Sequence, residues 1–125
     1  MPLKKILVVD DEPTFLSLLK ETLELRGFEC DIVPNAVEGG LMLSGQRKPD
    51  MILMDVKMPG INGLEACEAI KKNINTGKIP IIVISAASDP DIVLQAKKIG
   101  VEDYFVKPVN IENLIGRIKE ILKIS

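Results

Sequence analysis

Short, unbroken runs of apolar residues alternate along this chain with longer stretches in which apolar residues recur every three or four positions. The short runs are Ile6-Leu7-Val8-Val9, about Glu29 to Val33, Met51-Ile52-Leu53-Met54, Ile79-Pro80-Ile81-Ile82-Val83-Ile84 and Tyr104-Phe105-Val106. Continuous rather than alternating apolar character marks strands covered on both faces. The stretches between them carry the helical period. The first helix is predicted from about Pro13 to Arg26, with Phe15, Leu18, Leu19 and Leu23 on one face and Gly27 just past its end. Asn35, with Glu38 three residues on, opens a second helix by a variant of the capping box. After a Pro/Gly loop, Asn62 and Glu65 repeat that pattern for a third. Asp89-Pro90 opens a fourth, with proline at its first position. The fifth begins near Asn110 and carries Ile111, Leu114, Ile115, Ile118, Ile121 and Leu122 along one stripe.

Strict alternation of strand and helix predicts an α/β fold, a doubly wound five-stranded parallel sheet with helices on both faces. No repeat, low-complexity segment or linker interrupts the pattern, so residues 1–125 are read as one domain. Ligands of such folds sit outside the carboxyl ends of the strands, near the point where strand order reverses. Chemistry is therefore expected at those ends.

Asp10 and Asp11 follow the first strand, and Asp55 follows the third. In the common strand order 2-1-3-4-5 these strands are neighbours, and the three carboxylates converge. Like charges at such range repel and drive protonation unless a cation is bound. Mg²⁺ suits the set, because it takes one or two carboxylates with waters and phosphate oxygens rather than a full protein cage. Alone, the Asp10-Asp11 pair has another explanation, as acidic residues favoured at a helix N-terminus. Ser85 ends the fourth strand with a hydroxyl able to donate to a phosphoryl oxygen. Lys107 follows the fifth with an ammonium able to neutralise phosphate charge. Taken singly, Ser85 is also an ordinary turn residue, and Lys107 also a structural ion-pair partner. Their joint placement favours a metal and phosphate site.

Composition narrows the function classes. With 16 basic and 18 acidic residues, the formal net charge of −2 argues against nucleic acid as the primary ligand. No apolar run is long enough to span a bilayer, and no basic amphipathic segment points to a membrane surface. The apolar start of the chain runs into Asp10-Asp11-Glu12 without a cleavage site, so it is read as a buried strand of a cytoplasmic protein rather than a signal peptide. Cys30 and Cys67 form no CxxC pair, and the absence of histidine excludes a histidine-containing zinc site or a Ser-His-Asp triad. Both cysteines are expected to be small core hydrophobes in a reducing compartment.

The set Asp10-Asp11, Asp55-Val56-Lys57-Met58-Pro59-Gly60-Ile61-Asn62-Gly63, Ser85-Ala86 and Lys107-Pro108 resembles the receiver domains of two-component response regulators. The resemblance covers essentially the whole chain and implies the flavodoxin-like (βα)5 fold in the order 2-1-3-4-5. It implies that Asp55 accepts a phosphoryl group from a sensor histidine kinase or phosphotransfer protein. Asp11, Asp55 and the Lys57 backbone carbonyl would bind Mg²⁺ directly, with Asp10 acting mainly through water. Lys107 would contact the phosphoryl group, and the Lys107-Pro108 bond would be cis, a form that proline tolerates far better than other residues. Ser85 would be drawn toward the phosphoryl group, leaving room for Tyr104 to rotate. The face made by the fourth helix, fifth strand and fifth helix would then change its affinity for a partner. Some receivers dimerise through that face, so a monomer and a phosphorylation-dependent dimer both remain open.

Two positions depart from the most familiar receiver pattern. Ser85 stands where threonine is common, and Lys57, like Ala87, occupies a position beside the phosphate that tunes its hydrolysis in the family. The resemblance implies a switch rather than a turnover enzyme. Aspartate-nucleophile phosphatases resemble an Asp-x-Asp pattern, but the second position here is Lys57. A flavin-binding module would need a phosphate-cradling loop after the first strand, where Asp10-Asp11-Glu12 would repel a phosphate lacking a metal. A degenerate receiver used only for docking would not need the full set of acids, Ser85 and Lys107. The last helix runs to the end of the sequence, so no DNA-binding or enzymatic output domain is expected within these residues.

Overall fold

The computed structural model describes residues 3–45, 47–58 and 61–125, except for the side chains of Met58 and Ile61. The Pro59-Gly60 part of the expected loop lies outside the described residues. Five strands form one parallel sheet: β1 (Lys5–Val9), β2 (Glu29–Val33), β3 (Met51–Met54), β4 (Ile81–Ser85) and β5 (Asp103–Val106). Their order across the sheet is β2-β1-β3-β4-β5, as expected. Five helices connect and follow them: α1 (Pro13–Leu25), α2 (Ala36–Leu43), α3 (Gly63–Lys72), α4 (Pro90–Ile99) and α5 (Ile111–Leu122).

Alternate residues of each central strand feed two separate cores. Ile6, Val8, Met51, Leu53, Ile82 and Ile84 pack with Leu16, Leu19 and Leu23 of α1 and Leu114, Ile115 and Ile118 of α5. Leu7, Val9, Ile52, Met54, Ile81 and Val83 face the other side, with Leu43 of α2, Cys67 of α3 and Ala96 of α4. Burial on both faces explains why the strands read as continuous apolar runs. Both cysteines are buried and unpaired, as their sequence context predicts.

Four of the helix starts are capped as their sequences predict. Asn35 accepts from the Glu38 N–H, Asn62 from Leu64 and Glu65, Asp89 from Asp91, and Asn110 from Asn113. Three local expectations need correction. Leu18 is 54% exposed, and Leu16 takes its place in the core. At about 100° per residue, positions 16, 19 and 23 share one side of a helix and position 18 falls well outside it. The fourth strand begins at Ile81 rather than Ile79, because Pro80 has no N–H for the ladder and only its carbonyl takes part, accepting from Ile52. The loop after β3 contains a short antiparallel ladder, Lys57–Met58 against Ile61–Asn62, which the sequence pattern did not predict.

Candidate functional site: an acidic crevice at the strand ends

β1 and β3 lie side by side with Val9 level with Met54, so the residues that follow them emerge together. Backbone bonds continue past the strands and fix that exit. The Asp10 N–H donates to Val33 O at 3.2 Å, and the Asp55 N–H donates to Val9 O at 2.9 Å. One carboxylate oxygen from each of Asp10, Asp11 and Asp55 lies within 4.8 Å of the other two. Asp10 and Asp55 are buried, and Asp11 is exposed at the rim. An all-oxygen, all-anionic donor set of this spacing fits a hard divalent cation of the Mg²⁺ class.

β5 brings in the countercharge. The Lys107 N–H donates to Ser85 O at 2.9 Å, which carries the chain one residue beyond the strand and turns the ammonium into the crevice. Lys107 Nζ lies 2.9 Å from Asp10 Oδ2, 2.6 Å from Glu12 Oε1 and 3.7 Å from Asp55 Oδ2. It also sits 4.3 Å from the centre of the Phe15 ring. Burial works to lower the Lys107 pKa, but the bonds to Asp10 and Glu12 and the Asp10 and Asp55 charges outweigh it and hold the group above its ordinary value. Burial pushes the Asp10 carboxyl up, and the Asp55 charge adds to that. Lys107 and the Glu12 N–H offset only part of the rise.

Asp55 is held by its own loop. The Lys57 N–H donates to Asp55 Oδ1 at 2.9 Å, which leaves Oδ2 on the side of Lys107. Behind it, Gly63 opens α3 against the backbone of the acceptor strand. A Cβ at Gly63 would lie 2.4 Å from Val56 Cα and 2.7 Å from Asp55 O, so only glycine fits there. The Lys57 side chain is exposed. With Ala87, Ser88 and Gln95 it lines a cleft of about 560 Å³ beside the crevice.

Ser85 is fully buried at the end of β4, where its Oγ accepts from the Ala87 N–H at 3.2 Å. Met54 is level with Val83, which places Ser85 one residue further along its strand than Asp55. Tyr104 on β5 is half-buried, and its hydroxyl donates to Ala87 O at 2.7 Å, on the same loop that Ser85 begins. The Lys107-Pro108 bond is cis.

The fold thus gathers the sequence-predicted residues Asp10, Asp11, Asp55, Lys57, Ser85 and Lys107 at one end of the sheet. Sequence reasoning missed the roles of Glu12 and Phe15 as the other neighbours of the ammonium. Glu12 was visible only as the third member of an acidic run, and its pairing with a lysine 95 positions away had no local signal.

A doubly wound sheet with acids after its first and third strands and a lysine after its fifth is the architecture of a phosphoacceptor module. Residues 6–119 match the response regulator receiver domain, and the chain belongs to that family, the signalling switches of two-component systems. It is 36% identical over 118 residues to protein PilH of Pseudomonas aeruginosa, covering 94% of this chain and 97% of that one. It is 35% identical over 120 residues to the phosphate regulon transcriptional regulatory protein PhoB of the same organism, covering 96% of this chain and 52% of PhoB. The chain therefore spans about half the length of such longer regulators. A CheY-like receiver domain protein from Methanospirillum hungatei superposes with a TM-score of 0.90 at 30% identity, covering 98% of this chain and 95% of that structure. Among the described residues, no helix is long and apolar enough to cross a membrane.

Proposed function

We propose that Asp55 is the phosphoacceptor of this switch and that residues 1–125 act as one receiver domain. The observation that carries this reading is the convergence of the Asp10, Asp11 and Asp55 carboxylates at the strand ends, beside a Lys107 ammonium 2.9 Å from Asp10 and 3.7 Å from Asp55. One Asp55 oxygen, Oδ1, already accepts from the Lys57 N–H, so Oδ2 is the oxygen free to attack phosphorus. As its P–O bond forms, the donor's bond to phosphorus breaks and its electron pair leaves with the donor. With a histidine donor that broken bond is P–N.

Mg²⁺ would be held by Asp11, Asp55 and the Lys57 carbonyl, with Asp10 acting through water. When bound it neutralises charge on the phosphoryl oxygens. The protein's own groups supply the rest. Lys107 offers a second positive charge at 3.7 Å from Asp55 Oδ2, and the buried Ser85 hydroxyl is a donor for a phosphoryl oxygen. Movement of Ser85 toward the phosphoryl group would disturb the loop that holds Tyr104 through Ala87 O, and so the face formed by α4, β5 and α5. A partner that binds this face differently in the two states would read the signal. The proposed donor is a sensor histidine kinase or phosphotransfer protein in the cytoplasm, and no external substrate is turned over.

Intact-mass spectrometry after incubation with acetyl phosphate tests this reading. One added phosphoryl group is expected, dependent on Mg²⁺ and abolished by Asp55→Asn. An adduct that persists in Asp55→Asn would assign the acceptor elsewhere.

A further inference from the structure

Glu12 makes the closest contact to the Lys107 ammonium. Its Oε1 is 2.6 Å from Nζ, against 2.9 Å for Asp10 and 3.7 Å for Asp55. Glu12 also occupies the N-cap of α1, a position whose side chain ordinarily accepts from an exposed N–H of the first turn. The side chains at the starts of α2, α3, α4 and α5 do this. That of Glu12 does not. It is turned across the mouth of the crevice to Lys107 instead. Phe15, three residues on and on the same side of the helix, places its ring 4.3 Å from the same ammonium.

We propose that Glu12 is a positioning residue that, with Phe15, holds the Lys107 ammonium off Asp55 in the unphosphorylated protein, so that capture of a phosphoryl group must draw it away. This rests on the reading of Asp55 as phosphoacceptor. An ammonium has three protons to donate. Asp10 and Glu12 take two of them, and Asp55 at 3.7 Å lies beyond hydrogen-bond reach. A phosphoryl group on Asp55 presents new charged acceptors, and exchanging Glu12 for one of them gives Lys107 an equivalent charge-assisted bond. Asp10 is buried and stays a partner, whereas Glu12 is largely exposed and is readily hydrated once released. The Glu12 bond therefore stabilises the resting state alone, and a contact made in one state weakens whatever selects the other.

Exposed ion pairs of this kind shift an equilibrium by about two- to five-fold. The test is an NMR titration of the protein in Mg²⁺ with beryllofluoride, a stable phosphoryl mimic, in the wild type, Glu12→Asn and Glu12→Asp. Both replacements are good N-caps, so their resistance to urea is expected to equal or exceed that of the wild type. Aspartate keeps the charge but is one methylene shorter, too short to hold Lys107 in its resting place. Both variants are expected to bind beryllofluoride about two- to five-fold more tightly. The Lys107 ¹⁵Nζ resonance of both is expected to shift before any ligand is added. If Glu12→Asp matches the wild type while Glu12→Asn binds more tightly, bulk charge is responsible and the positioning role is wrong. Equal affinity in all three proteins also overturns it while leaving Asp55 as acceptor. A wild type that takes neither beryllofluoride nor phosphoryl overturns both readings.

Discussion

Gly63 makes the acceptor loop possible. It touches no reacting group, but the backbone of Asp55 and Val56 passes so close that a methyl group has nowhere to go. The sequence places Gly63 in the loop motif without revealing this reason, because the obstruction is the main chain of Val56 and Asp55, seven and eight residues upstream. Gly63→Ala is expected to cost about 1–3 kcal/mol of stability, the usual cost of forced overpacking. Pushing the Asp55 carbonyl also moves the carboxylate relative to Lys107. Phosphorylation by acetyl phosphate should therefore slow even under conditions where urea titration shows the variant to be fully folded. A variant that is destabilised but phosphorylates at the wild-type rate would show that Gly63 serves the fold alone. Asp10, Asp11, Asp55 and Lys107 were legible for a different reason: each lies within two residues of a strand's end, and strand order converts chain position into proximity. Glu12 follows no such rule, since its partner depends on which way one flexible side chain turns.

At the level of elements, strong patterns survive and weak ones do not. The four polar helix caps were readable because capping is chemistry between residues two or three apart. Leu18 was misplaced because α1 is rich in leucine, and only the direction of the sheet decides that Leu16, Leu19 and Leu23 point inward. The two-residue strands of the acceptor loop are too short to show any period. The cysteines follow the strong patterns, with Cys30 on β2 in one core and Cys67 on α3 in the other. Burial pushes both thiols up to about 12. Neither is expected to react with a thiol reagent at pH 8 until the protein is unfolded. Unfolded thiols ionise near pH 8.5 and the folded ones do not, so above that pH the unfolded state binds fewer protons. Stability should then fall as pH rises toward 12, by up to about 1.4 kcal/mol per pH unit for each thiol. Urea titrations of the wild type and a Cys30→Ala, Cys67→Ala double variant at pH 8 and 10 measure this, and the decline should be smaller in the variant.

Across the whole molecule the formal charge is nearly balanced, but its distribution is not. Folding brings Asp10, Asp11 and Asp55 together at one end of the sheet, where Asp10, Glu12 and Asp55 lie around the ammonium of Lys107. In the absence of a cation this end of the sheet opposes folding, and the two apolar cores must offset the repulsion. A divalent ion that binds only the folded crevice reverses the sign of the effect. At a concentration about 100 times its dissociation constant it adds about 2.7 kcal/mol. Asp11 separates the two contributions, because it is exposed and its replacement opens no cavity. Asp11→Asn removes one like charge, so the variant should unfold at a higher urea concentration than the wild type in EDTA. It also removes a cation ligand, so the wild type should overtake it as Mg²⁺ is added. Plotted against Mg²⁺ concentration, the two stabilities are expected to cross. A variant less stable at every concentration, EDTA included, would mean that Asp11 supports the fold directly. Parallel curves would mean that the ion binds without Asp11, and the carboxylates that hold it would then have to come from Asp10, Glu12 and Asp55.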